Sequence, residues 1–244
     1  MKKIIVLIFA SVVANFVDAA DLFVDGKPAN FTLRDPVTST TTIGGYPIYR
    51  GDDKWIYITG EVHESGGRAD AIPLGTATMF HVEEKSLIAV QSITANLSTN
   101  TNAAYWMGAP CAGEHLHTIN RSVGRYDTCL TIDSVSVDIG GVKGTFFDIR
   151  IINNANSGRF YKVDFLINAS FLGFEKTTVA DWTQSAVSSN PAKSQLLTRL
   201  GAWSEKYLDA TKNALDYSTQ TGAFESVPNF KSLAPLKAAQ SMSE

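Results

Sequence analysis

The chain has 244 residues, with 21 Lys and Arg against 24 Asp and Glu and a formal net charge of −3 at pH 7. A mildly acidic chain has no basic footprint for nucleic acid or anionic lipid, which excludes nucleic-acid binding from the leading functions. With 44% hydrophobic and 18% charged residues it is a packed chain, not a disordered one.

Met1, Lys2 and Lys3 form a short positive start, and Ile4 to Val17 is apolar apart from Ser11 and Asn15. Val17-Asp18-Ala19 then sets small residues three and one before a break after Ala19. That order predicts a cleavable export signal over residues 1–19. The apolar run is shorter than the ~20 residues of a spanning helix. No later stretch is long and apolar enough to replace it, so no membrane span is expected after cleavage. The remainder is expected in the periplasm or outside the cell.

From Asp21 to about Ser170 the dominant period is two, which is the signature of half-buried strands. Trp55 to Thr59, Thr76 to Glu83, Leu87 to Leu97 and Cys129 to Ile139 are predicted strands. Thr145 to Ile152 and Phe160 to Ala169 are two more, joined as a hairpin by the turn-forming run Asn153 to Gly158. Charged residues Asp148 and Arg150 should lie opposite Lys162 and Asp164 as exposed cross-strand pairs. The paired glycines at 44–45, 66–67 and 140–141 read as turns.

After Phe174 the period becomes helical. Thr178-Val-Ala-Asp181 starts a short helix to about residue 189, and Asn190-Pro191 caps a second over 191–217. Leu196, Leu200, Trp203 and Tyr207 form its apolar stripe, widened by Leu197 and Leu208, and this stripe should pack on the sheet. The fold expected is α+β, mainly β: an antiparallel β-sandwich or curled sheet followed by two C-terminal helices. Residues 20–217 read as one domain, and 218–244, with Pro228, Pro235 and many small residues, as a loosely ordered tail.

Two cysteines, Cys111 and Cys129, survive leader removal. In an oxidising compartment an isolated pair is expected to form a disulfide. The run Trp106-Met-Gly-Ala-Pro-Cys111, with Asp127-Thr-Cys129-Leu130 after it, resembles a pattern in exported bacterial proteins that carry no assigned activity. Trp182, Asn190-Pro191, Leu200-Gly-Ala-Trp203 and Tyr207 are similar to their later spacing. The resemblance covers about half the chain, agrees with export and the disulfide, and implies no activity.

Nucleophile elbows and phosphate-cradling glycine motifs are missing from the sequence. No catalytic, cofactor-binding or metal-ligating residue is assigned, and no cofactor is expected. Trp55, Tyr57, Glu61 and His63, which share one face by period two, suggest a ligand face for a carbohydrate, peptide or envelope component. The leading function is therefore an exported, non-catalytic binding or interaction module with an unknown partner. The alternative is a hydrolase or metal-dependent enzyme using His63, His115 and His117, with Glu114 or Asp127 completing a ligand set.

Overall fold

The structure is a computed structural model; it describes residues 21–24, 27–29, 31, 33, 35–37, 41–49, 54–65, 72–97, 111–123, 128–139, 141–155, 159–216 and 224–235. The proposed leader, residues 106–110 of the tryptophan–cysteine motif, Asp127 and the Gly66-Gly67 pair lie outside them.

Four two-residue strands open the chain: β1 (Phe23–Val24) with β2 (Lys27–Pro28), then β3 (Thr42–Ile43) with β4 (Tyr46–Pro47). Gly44 and Gly45 turn the second hairpin at φ of 56° and 78°, where an L side chain is strained. Seven strands then build the main sheet. They are β5 (Trp55–Ser65), β6 (Ile72–Glu83), β7 (Ser86–Asn96), β8 (His117–Asn120), β9 (Thr128–Ile139), β10 (Val142–Asn154) and β11 (Phe160–Asn168). Their order is β5-β6-β7-β11-β10-β9-β8, every neighbouring pair antiparallel. The period-two segments thus form one sheet rather than two stacked ones.

Period two decides which side chains meet the core. On β10, Phe147, Ile149 and Ile151 are fully buried on the inner face, and on β11 Val163, Phe165 and Ile167 join them. Each such side chain contributes roughly 1.5–3 kcal/mol through burial. Gly75 on β6 keeps this face open for the N-terminal hairpin. A Cβ there would lie 2.8 Å from the ring of Phe23, so the missing side chain is what seats Phe23.

The second layer is α2 (Pro191–Asp216), preceded by a single-turn 3-10 helix, Val179–Trp182, and the short α1 (Gln184–Ser188). The expected first helix is therefore broken at Thr183, whose hydroxyl accepts from Ala186 N and starts a new turn. Asp181 closes the start of the first piece by accepting from Thr178 N and Oγ1, both at 2.8 Å. Asn190 Oδ1 accepts from Ala192 N and Lys193 N, and Pro191 occupies the tolerated first position of α2. Leu196, Leu200, Trp203, Tyr207 and Leu208 are buried against the sheet as their spacing predicts. Tyr46, Tyr161 and Tyr207 hold the seam together. Burial pushes the Tyr46 hydroxyl up to about 12 and raises those of Tyr161 and Tyr207 above their ordinary value as well.

Gly201 lets α2 approach the sheet edge. A Cβ there would meet the His117 ring at 3.0–3.3 Å. Gly201→Ala should consequently gain little or lose stability, although alanine normally favours a helix by about 1 kcal/mol over glycine. In a His117→Ala background the same change should recover that gain. Urea midpoints of the four proteins test this; equal effects in both backgrounds would remove His117 from the explanation.

The tail differs from the sequence reading. Residues 224–235 are packed, with Val227, Phe230 and Leu233 buried. The many small residues of 218–244 conceal four large apolar side chains at three-residue spacing, and the body has an aromatic groove to receive them. Residues 217–223 and 236–244 lie outside the described part.

Part of each margin of the sheet is engaged. At β5, Val37 N bonds Trp55 O and Tyr57 N bonds Asp35 O. At the other margin Gln184 Nε2 donates to the carbonyls of His115 and Leu116, and Arg121 reaches from the end of β8 to Glu205 and Asp209 of α2.

Candidate functional site

Trp55, Tyr57, Glu61 and His63 do not share a face. A β-bulge between Tyr57 and Thr59 adds one residue to β5 and inverts its alternation. Trp55 and Tyr57 pair with His81 and Met79 and are buried in the core, 1% and 5% exposed. Glu61 and His63 pair with Thr76 and Leu74 and lie on the outer face, exposed. The proposed aromatic platform is thus unavailable to a ligand at the surface.

The disulfide forms. Cys111 and Cys129 are bonded with their Cα atoms 5.8 Å apart, inside the range such a bridge permits. It ties the segment entering β8 to β9. Within the loop, His115 and His117 were expected on one face, but the chain bends at Leu116. His115 turns to Asp133, its Nδ1 2.6 Å from Oδ2, while its Nε2 lies 3.2 Å from Ala112 O. His117 turns inward onto Gly201, and its Nε2 is buried without a partner.

His63 lies on β5 and His117 on β8, at opposite ends of the strand order and on opposite faces. The three histidines of the enzyme alternative therefore do not converge. Among the described residues no three His, Cys, Asp or Glu side chains are placed to share a metal ion.

What the fold does assemble is the outer face of the sheet. Asp133 and Asp148 stand directly opposite on β9 and β10, and Arg150 stands opposite Asp164 on β11. Arg150 Nε bonds Asp164 Oδ1 at 2.8 Å and its NH2 reaches Asp148 at 3.4 Å; Lys162 Nζ bonds Asp164 Oδ2 at 2.6 Å. Of the cross-strand pairs expected of these charges, Arg150–Asp164 is present; Asp148 instead lies opposite Leu166 and Lys162 opposite Ile152, and both meet the network along their own strands. Hydroxyls extend the polar band across the sheet, with Thr76 and Thr94 bonded at 2.9 Å.

Burial raises the Asp148 carboxyl above its ordinary value; Arg150 pulls it down, while Asp164 and Asp133 push it further up. A carboxyl that is harder to ionise in the folded state favours folding while protonated. That contribution is lost as pH rises from the unfolded value of about 3.9 through the higher folded one. Wild type should lose stability relative to Asp148→Asn as pH climbs from about 3 to 7, read from paired urea midpoints. A flat difference, or wild type gaining on Asp148→Asn as pH rises, would contradict the assignment.

Beside this band lies a second apolar cluster. Leu87, Val90, Val137 and Phe146 are its buried centre, and Phe80, Val135, Ile139, Val142 and Leu166 pack around them, only partly covered. Every one of these residues belongs to a strand; among the described residues no helix or loop residue contributes. Val82 continues the patch and is 42% exposed.

No family model, curated protein or solved structure matches this chain. The likeness to exported bacterial proteins therefore rests on the motif residues alone. Those that are described all have structural work: Cys111 and Cys129 form the bridge, Asn190 caps α2, and Trp182, Leu200, Trp203 and Tyr207 fill the core.

The apolar cluster and Asp133 are the surface residues that sequence reasoning did not assemble. Alternation along β9 put Asp133 and Val135 on one side, but which strands lie beside β9 is set by tertiary pairing. Strand order was the missing signal.

Proposed function

We propose that this chain is an exported, non-catalytic interaction protein that meets a protein partner with the outer face of its seven-stranded sheet. The observation that carries the reading is the strand-built apolar cluster around Phe146, bordered by the Asp133–Asp148–Arg150–Asp164 band. A contiguous apolar patch rimmed by polar groups marks an interaction surface. The partly covered side chains around the centre, Phe80, Val135, Ile139, Val142 and Leu166, would supply burial, and the fixed charges would select the partner and set its orientation. Burial of Trp55 and Tyr57 argues against a sugar platform and in favour of a peptide or protein surface. A disulfide is compatible with an oxidising compartment outside the cytoplasm. No helix among the described residues is long and apolar enough to cross a membrane.

The test is site-specific photocrosslinking in exporting cells. A photoreactive residue at Phe80 or Leu166 should trap one discrete protein, and the same residue at exposed Lys206 or Lys212 on α2 should not. The exported form should begin near Ala20. Equal trapping from both surfaces, or none from the sheet, would defeat the interaction face; retention of the intact leader in the cytoplasm would defeat export.

A further inference from the structure

We infer that the aromatic groove between the inner sheet face and α2 is a peptide-binding site, which the chain fills with its own residues 224–235. Phe224 lies 5.7 Å from the Tyr49 ring and 5.2 Å from that of Tyr207. Phe230 sits among Trp55 at 5.7 Å, His81 at 5.0 Å and Phe171 at 5.5 Å. Val227 and Leu233 are buried between and beyond them. The anchors therefore recur every third residue, and Phe230 and Leu233 share one side of the single-turn 3-10 helix Phe230–Leu233.

The manner of attachment is that of a ligand rather than a strand or helix. Among the described residues, no backbone-to-backbone hydrogen bond ties 224–235 to the rest of the protein. Its backbone bonds to described residues are internal turns, Val227 N to Phe224 O, Ser232 N to Asn229 O and Ala234 N to Lys231 O. The body grips it with side chains instead. Tyr49 Oη and Trp203 Nε1 both donate to Pro228 O, at 2.6 and 2.8 Å. Glu83 Oε1 takes Lys231 Nζ at 2.5 Å, and this contact is the first cause holding the Glu83 carboxyl below its usual value. Two tyrosine or tryptophan donors converging on one carbonyl, aromatic walls for large anchors and a carboxylate for a basic residue are what recognise a short peptide. The class of ligand is a peptide with large apolar residues at four positions three apart and a base directly after the third.

This site lies on the face opposite the proposed partner surface, so the two readings stand or fall separately. The test uses the full chain with a specific protease site inserted after Gln220. After cutting, the fragment carrying residues 221–244 should remain bound, and a labelled synthetic 224–235 peptide should exchange into the groove saturably. The Phe230→Ala peptide should bind roughly 100-fold more weakly. Loss of the native near-UV spectrum on cutting, or peptide binding indifferent to Phe230, would overturn the inference and make the segment ordinary core. On the uncut protein, amide exchange gives an independent reading. The amides of 224–235 should exchange through a local opening while those of β10 and α2 stay protected; exchange only through global unfolding would overturn it.

Discussion

Trp203→Ala is expected to destabilise the protein by about 3–5 kcal/mol, which for a chain of this size lowers the melting temperature by on the order of 10 °C. Trp203 is 3% exposed, and its ring meets Phe165 at 5.4 Å, Tyr207 at 5.6 Å and Tyr49 at 5.9 Å. Truncation opens a cavity at the junction of sheet, helix and C-terminal segment, and such a junction has no single neighbour able to fill it. Trp203→Phe separates packing from polarity. It keeps an aromatic ring and removes the Nε1 donor from Pro228 O, which still accepts from Tyr49. A loss near 1 kcal/mol is expected from that missing bond. A Trp203→Ala melting temperature equal to wild type would mean that the stripe of α2 is not part of the core.

Removing the Cys111–Cys129 bridge should cost about 3 kcal/mol, the loop-closure value for a separation of 18 residues. At an ordinary urea dependence this moves the midpoint by on the order of 1 M. The Cys111→Ala/Cys129→Ala variant and reduced wild type should unfold at the same urea concentration, and reductant should leave the variant unmoved. Two reactive thiols in the oxidised protein, or a reductant effect on the variant, would exclude the bridge as the cause. The loss should be felt first at β8, which has only four residues in the sheet and depends on the bridge, Gln184 and Arg121 for its position.

The strands were legible because alternation survives wherever one face is buried: β9 and β10 can be read residue by residue from Cys129 to Ile152. Helix α2 was legible from its stripe and its Asn190-Pro191 start. The bulge at Ile58 was not. Nothing in Trp55 to Thr59 announces an extra residue, since the insertion is defined by β6 across the ladder and not by β5 itself. Residues 224–235 were misread for the opposite reason. Their composition resembles a loose tail, and only the groove formed by Tyr49, Trp55 and Trp203, distant in sequence, receives Phe224 and Phe230. The polar band was visible as charges and became a surface only through strand order. The site is therefore less legible than the fold because it lives between strands, where local patterns carry no information.

The engaged margins of the sheet decide how copies of this protein can assemble. Strand-by-strand growth into a fibre needs a free row of backbone groups, which a newcomer can copy. Here the carbonyls of His115 and Leu116 are held by Gln184, and Asp35 and Val37 already occupy the backbone of Trp55 and Tyr57. At those positions an incoming chain finds no template. Strand addition by another copy is thereby confined to the remaining stretches of the two margins.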